Sequence, residues 1–125
     1  METLAISQLF DLRGKSAIVT GGSKGIGLGI VERLSEAGAS VMIADVDTAA
    51  AEAEAARLRD ARRTVASCPT DMRAPASIRA MAQRTVELFG RLDILVNNAG
   101  IFPMAPALDV SAELWDSVLE VNLRG

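Results

Sequence analysis

Residues 20–27 read TGGSKGIG and stand between a short apolar run and a helical pattern. Ahead of them, Ser16-Ala17-Ile18-Val19 is a β-branched run of the kind that forms a buried strand. Behind them, Ile26, Ile30, Leu34 and Ala37 recur at helical spacing, with Gly38 as the stop. The glycines therefore lie on a strand-to-helix turn, where backbone N–H groups and the positive end of a helix dipole converge on any anion placed there. Glycine also tolerates positive φ and lets a diphosphate approach backbone that a side chain would shield. The turn reads as a seat for a nucleotide pyrophosphate. A glycine turn that merely makes a corner, in a fold-only scaffold, is the competing reading, and the residues that follow weigh against it.

The next strand, Ser40–Asp45, ends in an acid about 20 residues past the glycines, where a βαβ unit delivers a carboxylate to the ribose hydroxyls of an adenosine. Such a carboxylate accepts hydrogen bonds from both hydroxyls and repels a 2′-phosphate, which favours NAD over NADP. Lys24 is the opposing feature, because a basic residue before Gly25 can reach a 2′-phosphate; its bland reading is a solvated side chain. The spacing of Gly21, Gly25 and Gly27 is GxxxGxG, with Thr20 ahead of it, and Asn97-Asn98-Ala99-Gly100 directly follows another apolar strand. In these two motifs the chain resembles the short-chain dehydrogenase/reductase family.

Strand and helix patterns alternate along the chain. Strands are predicted at Ser16–Thr20, Ser40–Asp45, Thr64–Cys68 and Leu92–Val96. Helices are predicted at Gly25–Ala37 and at Thr48–Arg59, the latter capped by Asp47 or Thr48. A third helix has Pro75 in its first turn, Ile78, Met81, Thr85 and Phe89 facing inward, and Gly90 as its stop. A proline-bearing loop covers Asn97–Val110, and a last helix starts at the cap Ser111. Alternation of this kind with continuously apolar strands gives a parallel sheet covered on both faces. Right-handed crossovers order it 3-2-1-4, a Rossmann-like doubly wound α/β fold in a single domain over residues 1–125, with the later strands of such a sheet missing. The order reverses between strands 1 and 4, so a ligand is expected there, beyond the carboxyl ends of the strands.

The resemblance extends to further residues. It implies that Asp71, just past strand 3, meets the adenine amino group, although the residue read alone is an ordinary turn acid. It implies that Asn97–Gly100 supports the sheet end and contacts the cofactor. Trp115, Val118, Leu119 and Asn122 fall on one face of the last helix at helical spacing. An amide on that stripe must find backbone, water or a polar site. By resemblance Asn122 orders water in a catalytic proton relay; fraying into solvent is the alternative. Trp115 is expected as core or interface filler. The cofactor-binding set expected from motif and resemblance together is Thr20, Gly21, Ser23, Lys24, Gly25, Ile26, Gly27, Asp45, Asp71, Asn98, Ala99 and Gly100.

Composition narrows the field further. With 13 basic and 16 acidic residues the net charge is −3 and the basic side chains are scattered, so nothing points to a nucleic-acid surface and no nucleic-acid partner is expected. Half of the 125 residues are hydrophobic, ample for one core. The single cysteine, Cys68, forms no disulfide framework and fits a reducing cytosol, and no metal-ligating pattern occurs. No apolar run approaches the roughly 20 residues that span a bilayer, and the N-terminus, with acids at Glu2 and Asp11, is no signal peptide, so a soluble cytoplasmic protein is expected.

The family's hydride transfer between a nicotinamide and an alcohol or carbonyl substrate uses a Tyr, a Lys four residues on and an upstream Ser. This chain has no tyrosine and no histidine, and Asp93, Asp109 and Glu113 have no partner arrangement that would make one of them a general acid. The expectation is thus the cofactor-binding half of an NAD-dependent oxidoreductase, inactive alone, its end at Gly125 looking like a cut in a longer and homo-oligomeric enzyme. A non-catalytic dinucleotide-binding module is the alternative. An unpartnered strand 4 would leave an apolar edge. Among substrate classes, the cofactor acid favours sugar, polyol or hydroxy-acid oxidation over NADPH-linked acyl reduction.

Overall fold

The computed structural model describes residues 5–125. Glu2, one of the two acids in the N-terminal charge pattern, lies outside them. After a single helical turn, α1 (Ile6–Leu9), the chain runs β1 (Ser16–Thr20), α2 (Gly25–Glu36), β2 (Ser40–Asp45), α3 (Thr48–Asp60), β3 (Val65–Pro69), α4 (Pro75–Phe89) and β4 (Ile94–Val96). A 3-10 turn at Ala107–Asp109 leads to α5 (Ala112–Leu119), which ends in a π turn over Glu120–Arg124. The four strands form one parallel sheet in the order β3-β2-β1-β4, as the alternation predicts.

The strands alternate their side chains between two cores. Ala17, Val19, Val41 and Ile43 pack on one face against Val31 of α2 and Ala51, Ala55 and Leu58 of α3. Ile18, Met42, Ala44 and Cys68 face the other way, onto Met81 of α4 with Ile78 and Phe89 beside it. Thr85, also on the inward face of α4, is fully buried and donates its hydroxyl to the Met81 carbonyl at 2.9 Å. Asp47 caps α3, accepting from the Ala50 amide at 3.1 Å, and Gly90 ends α4 in the left-handed conformation.

Several expected boundaries move, each for a local reason. Strand β4 begins at Ile94 rather than Leu92. The Asp93 side chain accepts the Ser16 N–H at 2.9 Å, which removes the donor a longer β1–β4 ladder would use. Among the described residues no strand pairs beyond it, so β4 is an edge there, and Leu95 is 53% exposed. Strand β3 runs to Pro69, which an edge strand tolerates because its missing N–H faces no partner. Helix α2 stops one residue early, at Glu36. There the Gly38 N–H donates to Ser35 and the Ala39 N–H to Leu34, the paired bonds of a Schellman end. Ile26 is not on the core face of α2; it is 79% exposed.

The last helix is turned from its expected orientation. Its half-buried face is Leu114, Ser117, Val118 and Val121, whereas Trp115 is 61% exposed and is not core. Asn122 lies in the π turn, off the stripe that straight α-helical spacing assigned to it.

Helix α3 ends with the same bond pattern as α2: Arg62 N–H to Arg59 and Arg63 N–H to Leu58. Here, however, the left-handed position holds Arg62, at φ 61°. A non-glycine residue there costs about 1–2 kcal/mol, partly offset by its lower entropy in the unfolded chain. Arg62→Gly is therefore expected to raise stability by about 1 kcal/mol, read from the urea unfolding midpoint; an unchanged or lowered midpoint would show that Arg62 carries no strain.

A pH prediction follows from Asp93. Its hydrogen bonds from the Arg91 guanidinium and then the Ser16 amide hold its carboxyl down at about 2, against an ordinary 3.8. A carboxyl lowered on folding stabilises fully above its unfolded value and loses that contribution as pH falls through the folded one. Unfolding monitored by circular dichroism should thus show a stability loss between about pH 4 and pH 2, and Asp93→Asn should flatten the slope in that window.

Candidate functional site

The site grows out of the end of β1. Thr20 is buried, and its hydroxyl accepts the Asn98 and Ala99 amides, each at 3.0 Å, while donating to the Val96 carbonyl at 3.2 Å. The Asn98 side-chain amide then donates to the carbonyls of Thr20 at 2.9 Å and Gly21 at 3.1 Å. One hydroxyl and one carboxamide thus satisfy the backbone where β1 and β4 part, at the reversal of strand order.

This latch explains Gly27. A Cβ there would stand 2.6 Å from Asn98 Nδ2 and would also strike the Gly21 carbonyl, so α2 can sit on the latch only with glycine at this position. Gly25 answers a different need. Its φ is 57°, and a Cβ there would meet nothing within 4 Å, so it opens onto free space at the helix start. The N-cap of α2 is Lys24, whose side chain caps none of the first amides. Those amides therefore keep their capacity to bind an anion.

Beside the turn, Asp45 closes β2. It is buried; one carboxylate oxygen accepts the Ser23 amide at 3.1 Å and the other the Asp47 amide at 3.0 Å. Burial pushes this carboxyl up, but the amides of Asp47 and Ser23, the nearby Ser23 hydroxyl and the Lys24 charge together hold it below its ordinary value. The Ser23 hydroxyl oxygen is buried and has no hydrogen-bond partner among the described residues. Lys24 lies 3.9 Å from Asp47 with its side chain 77% exposed.

Past β3, Asp71 folds back on its own turn. Its carboxylate accepts Arg73 through the backbone N–H at 2.9 Å, Nε at 3.0 Å and Nη2 at 2.8 Å. Bonded this way to Arg73, the carboxyl is held at about 2. Asn122 is not frayed. Its carboxamide clamps the Ile101 backbone, accepting the N–H at 2.8 Å and donating to the carbonyl at 3.0 Å.

These elements surround a cleft of about 560 Å³. Of the expected residues, Gly21, Lys24, Ile26, Gly27, Asp45, Asp71 and Asn98–Gly100 line it, while Thr20, Ser23, Gly25 and Asn122 do not. The sequence reading missed Arg73, Phe102 and Ser117 in its wall. Arg73 had a signal available, an arginine two residues past a rim acid; the other two are brought in by the course of the β4–α5 loop. Among the described residues no group of three or more metal-ligating side chains occurs, and no helix is long and apolar enough to cross a membrane.

A parallel sheet with a glycine turn, a rim acid and a cleft at its reversal point defines a dinucleotide-binding α/β protein. The family model for short chain dehydrogenase matches residues 15–125, and the chain belongs to that family, whose members bind NAD(P). It is 42% identical over 114 residues to galactitol 2-dehydrogenase of Agrobacterium fabrum, covering 91% of this chain and 43% of the relative. It is 40% identical over 124 residues to D-threitol dehydrogenase of Mycolicibacterium smegmatis, covering 99% of this chain and 48% of that protein. Among solved structures, 3-ketoacyl-(acyl-carrier-protein) reductase from Brucella melitensis complexed with NADH superposes with a TM-score of 0.85 at 36% identity, covering 91% of this chain and 46% of that one. The chain spans less than half the length of these relatives.

The latch can be tested directly. Thr20→Val keeps the shape and leaves the Asn98 and Ala99 amides without their acceptor. A loss of about 2–3 kcal/mol in urea unfolding is expected; a loss below about 0.5 kcal/mol would mean the hydroxyl is dispensable.

Proposed function

We infer that the chain forms the dinucleotide-binding part of an oxidoreductase that prefers NAD, moving hydride between the nicotinamide and an alcohol or carbonyl substrate. The observation that carries this reading is Asp45, a buried carboxylate on the rim of the cleft. Each of its oxygens already accepts one amide and keeps a second lone pair for a ribose hydroxyl. A 2′-phosphate in the same place would set a dianion against a buried anion.

The residues present fit such a ligand. The uncapped start of α2, the open space over Gly25 and the unpartnered Ser23 hydroxyl all suit a diphosphate. When bound, the nicotinamide supplies the hydride acceptor or donor. The chain's own residues bind and orient: Asp45 holds the ribose, Asp71 faces the base, and Asn98–Gly100 gives the second ribose a small-residue surface. Asn122 acts in this reading as a positioning residue, since its carboxamide fixes the Ile101 backbone on the cleft wall. The water-ordering role implied by family resemblance is compatible with the one free hydrogen left on Nδ2. Kinship with galactitol and threitol dehydrogenases favours a polyol or related sugar alcohol as the substrate of the whole enzyme.

Isothermal titration of the purified chain with NAD and NADP tests the cofactor preference. Asp45→Asn should weaken NAD about tenfold and shift the NAD-to-NADP ratio toward NADP. An unchanged ratio would remove Asp45 as the discriminating group.

A further inference from the structure

Arg73 has no role in that assignment, yet it lines the cleft in the segment that follows β3. We propose that the Arg73 guanidinium, held edge-on by the Asp71 carboxylate, is a stacking face for the purine base of the bound dinucleotide. The proposal rests on the dinucleotide reading and adds a specificity residue to it.

Three observations lead there. First, Nε and Nη2 of Arg73 both donate to Asp71, at 3.0 and 2.8 Å, so the guanidinium plane is fixed through its edge. In-plane bonds of this kind leave the two faces of the group unused, and the side chain is 54% exposed. Second, the turn that carries the pair is itself anchored. The Asp71 N–H donates to Ser77 Oγ at 3.0 Å, and the Thr70 N–H donates to the Asp45 carbonyl at 2.9 Å. The stacking face is therefore tied to the same rim acid that would hold the ribose next to the base. Third, the cleft that Arg73 lines has apolar lining as well: Val46, 69% exposed at the end of β2, and Met72, next to Arg73 in the chain. A flat, weakly hydrated cation beside apolar side chains matches a heteroaromatic ring better than a phosphate, which would draw Arg73 off Asp71.

Stacking scales with the area of the base, which supplies a readout that a merely structural role would not move. Affinities for NAD and for nicotinamide cytosine dinucleotide share every phosphate and ribose contact and differ in the base. By titration calorimetry, Arg73→Ala should weaken NAD about tenfold and shrink the NAD-to-cytosine-analogue ratio at least several-fold. Arg73→Lys, which keeps the charge and loses the plane, should also shrink the ratio, and it provides the measurement if the alanine variant folds poorly. A ratio unchanged in both variants would overturn the proposal, even if both ligands bind more weakly, because a general loss is what a loosened turn produces. Absence of any dinucleotide binding by the unmodified chain would overturn the underlying cofactor reading as well, and the two failures are told apart by that control.

Discussion

The structure depends on one buried hydroxyl. Strands β1 and β4 are neighbours although 76 residues separate Thr20 from Val96, and where they part their terminal backbone groups have left the sheet ladder. Thr20 Oγ takes two of those N–H groups and gives its proton to a third partner, a full use of what a hydroxyl can do. Its partner Asn98 then reaches beneath the Gly21 carbonyl, and the space it needs is the space that a side chain at Gly27 would fill. The seating of α2, and with it the direction in which its first amides point, follows from that contact. A cleft at a helix start is thus built by satisfying the end of a sheet.

Two carboxylates on the same rim show how different surroundings give one residue type different uses. Asp45 is buried, which alone would raise its pKa, and it stays ionised because two amides, a hydroxyl and a lysine favour the charge. Asp71 is more open and is held by one residue, Arg73, through both its guanidinium and its backbone N–H. The first arrangement places a fixed negative charge where a ribose would lie, and the second fixes a planar cation.

What could be read from the chain alone was whatever local rules decide. The sheet order followed from alternating patterns and the handedness of crossovers. The Asp47 and Ser111 caps, the stop at Gly90 and the inward face of α4 followed from short-range chemistry. Readings that depended on distant partners fared worse. Ile26 has helical spacing, but its position over the cleft mouth leaves it exposed. The stripe through Trp115 and Asn122 assumed an unbroken α-helix, whereas the half-buried face runs one residue earlier, from Leu114 to Val121, and Asn122 lies in a π turn that clamps Ile101. Asp93 shortened β4 because a side chain took a ladder donor, a competition that no pattern along one strand contains.

By itself the sequence determined a strand, a glycine turn and a helix start, an acid at the right distance to stand beside them, and a second corner rich in amides, because each needs only neighbours within a few residues. Only the tertiary structure decided which glycine is demanded by packing and which opens onto free space. It also turned Asn122 from a stripe residue into a backbone clamp and brought Arg73 to the cleft wall. Those outcomes depend on which groups from elsewhere in the chain arrive at the same point, and that is set when the sheet closes on Thr20.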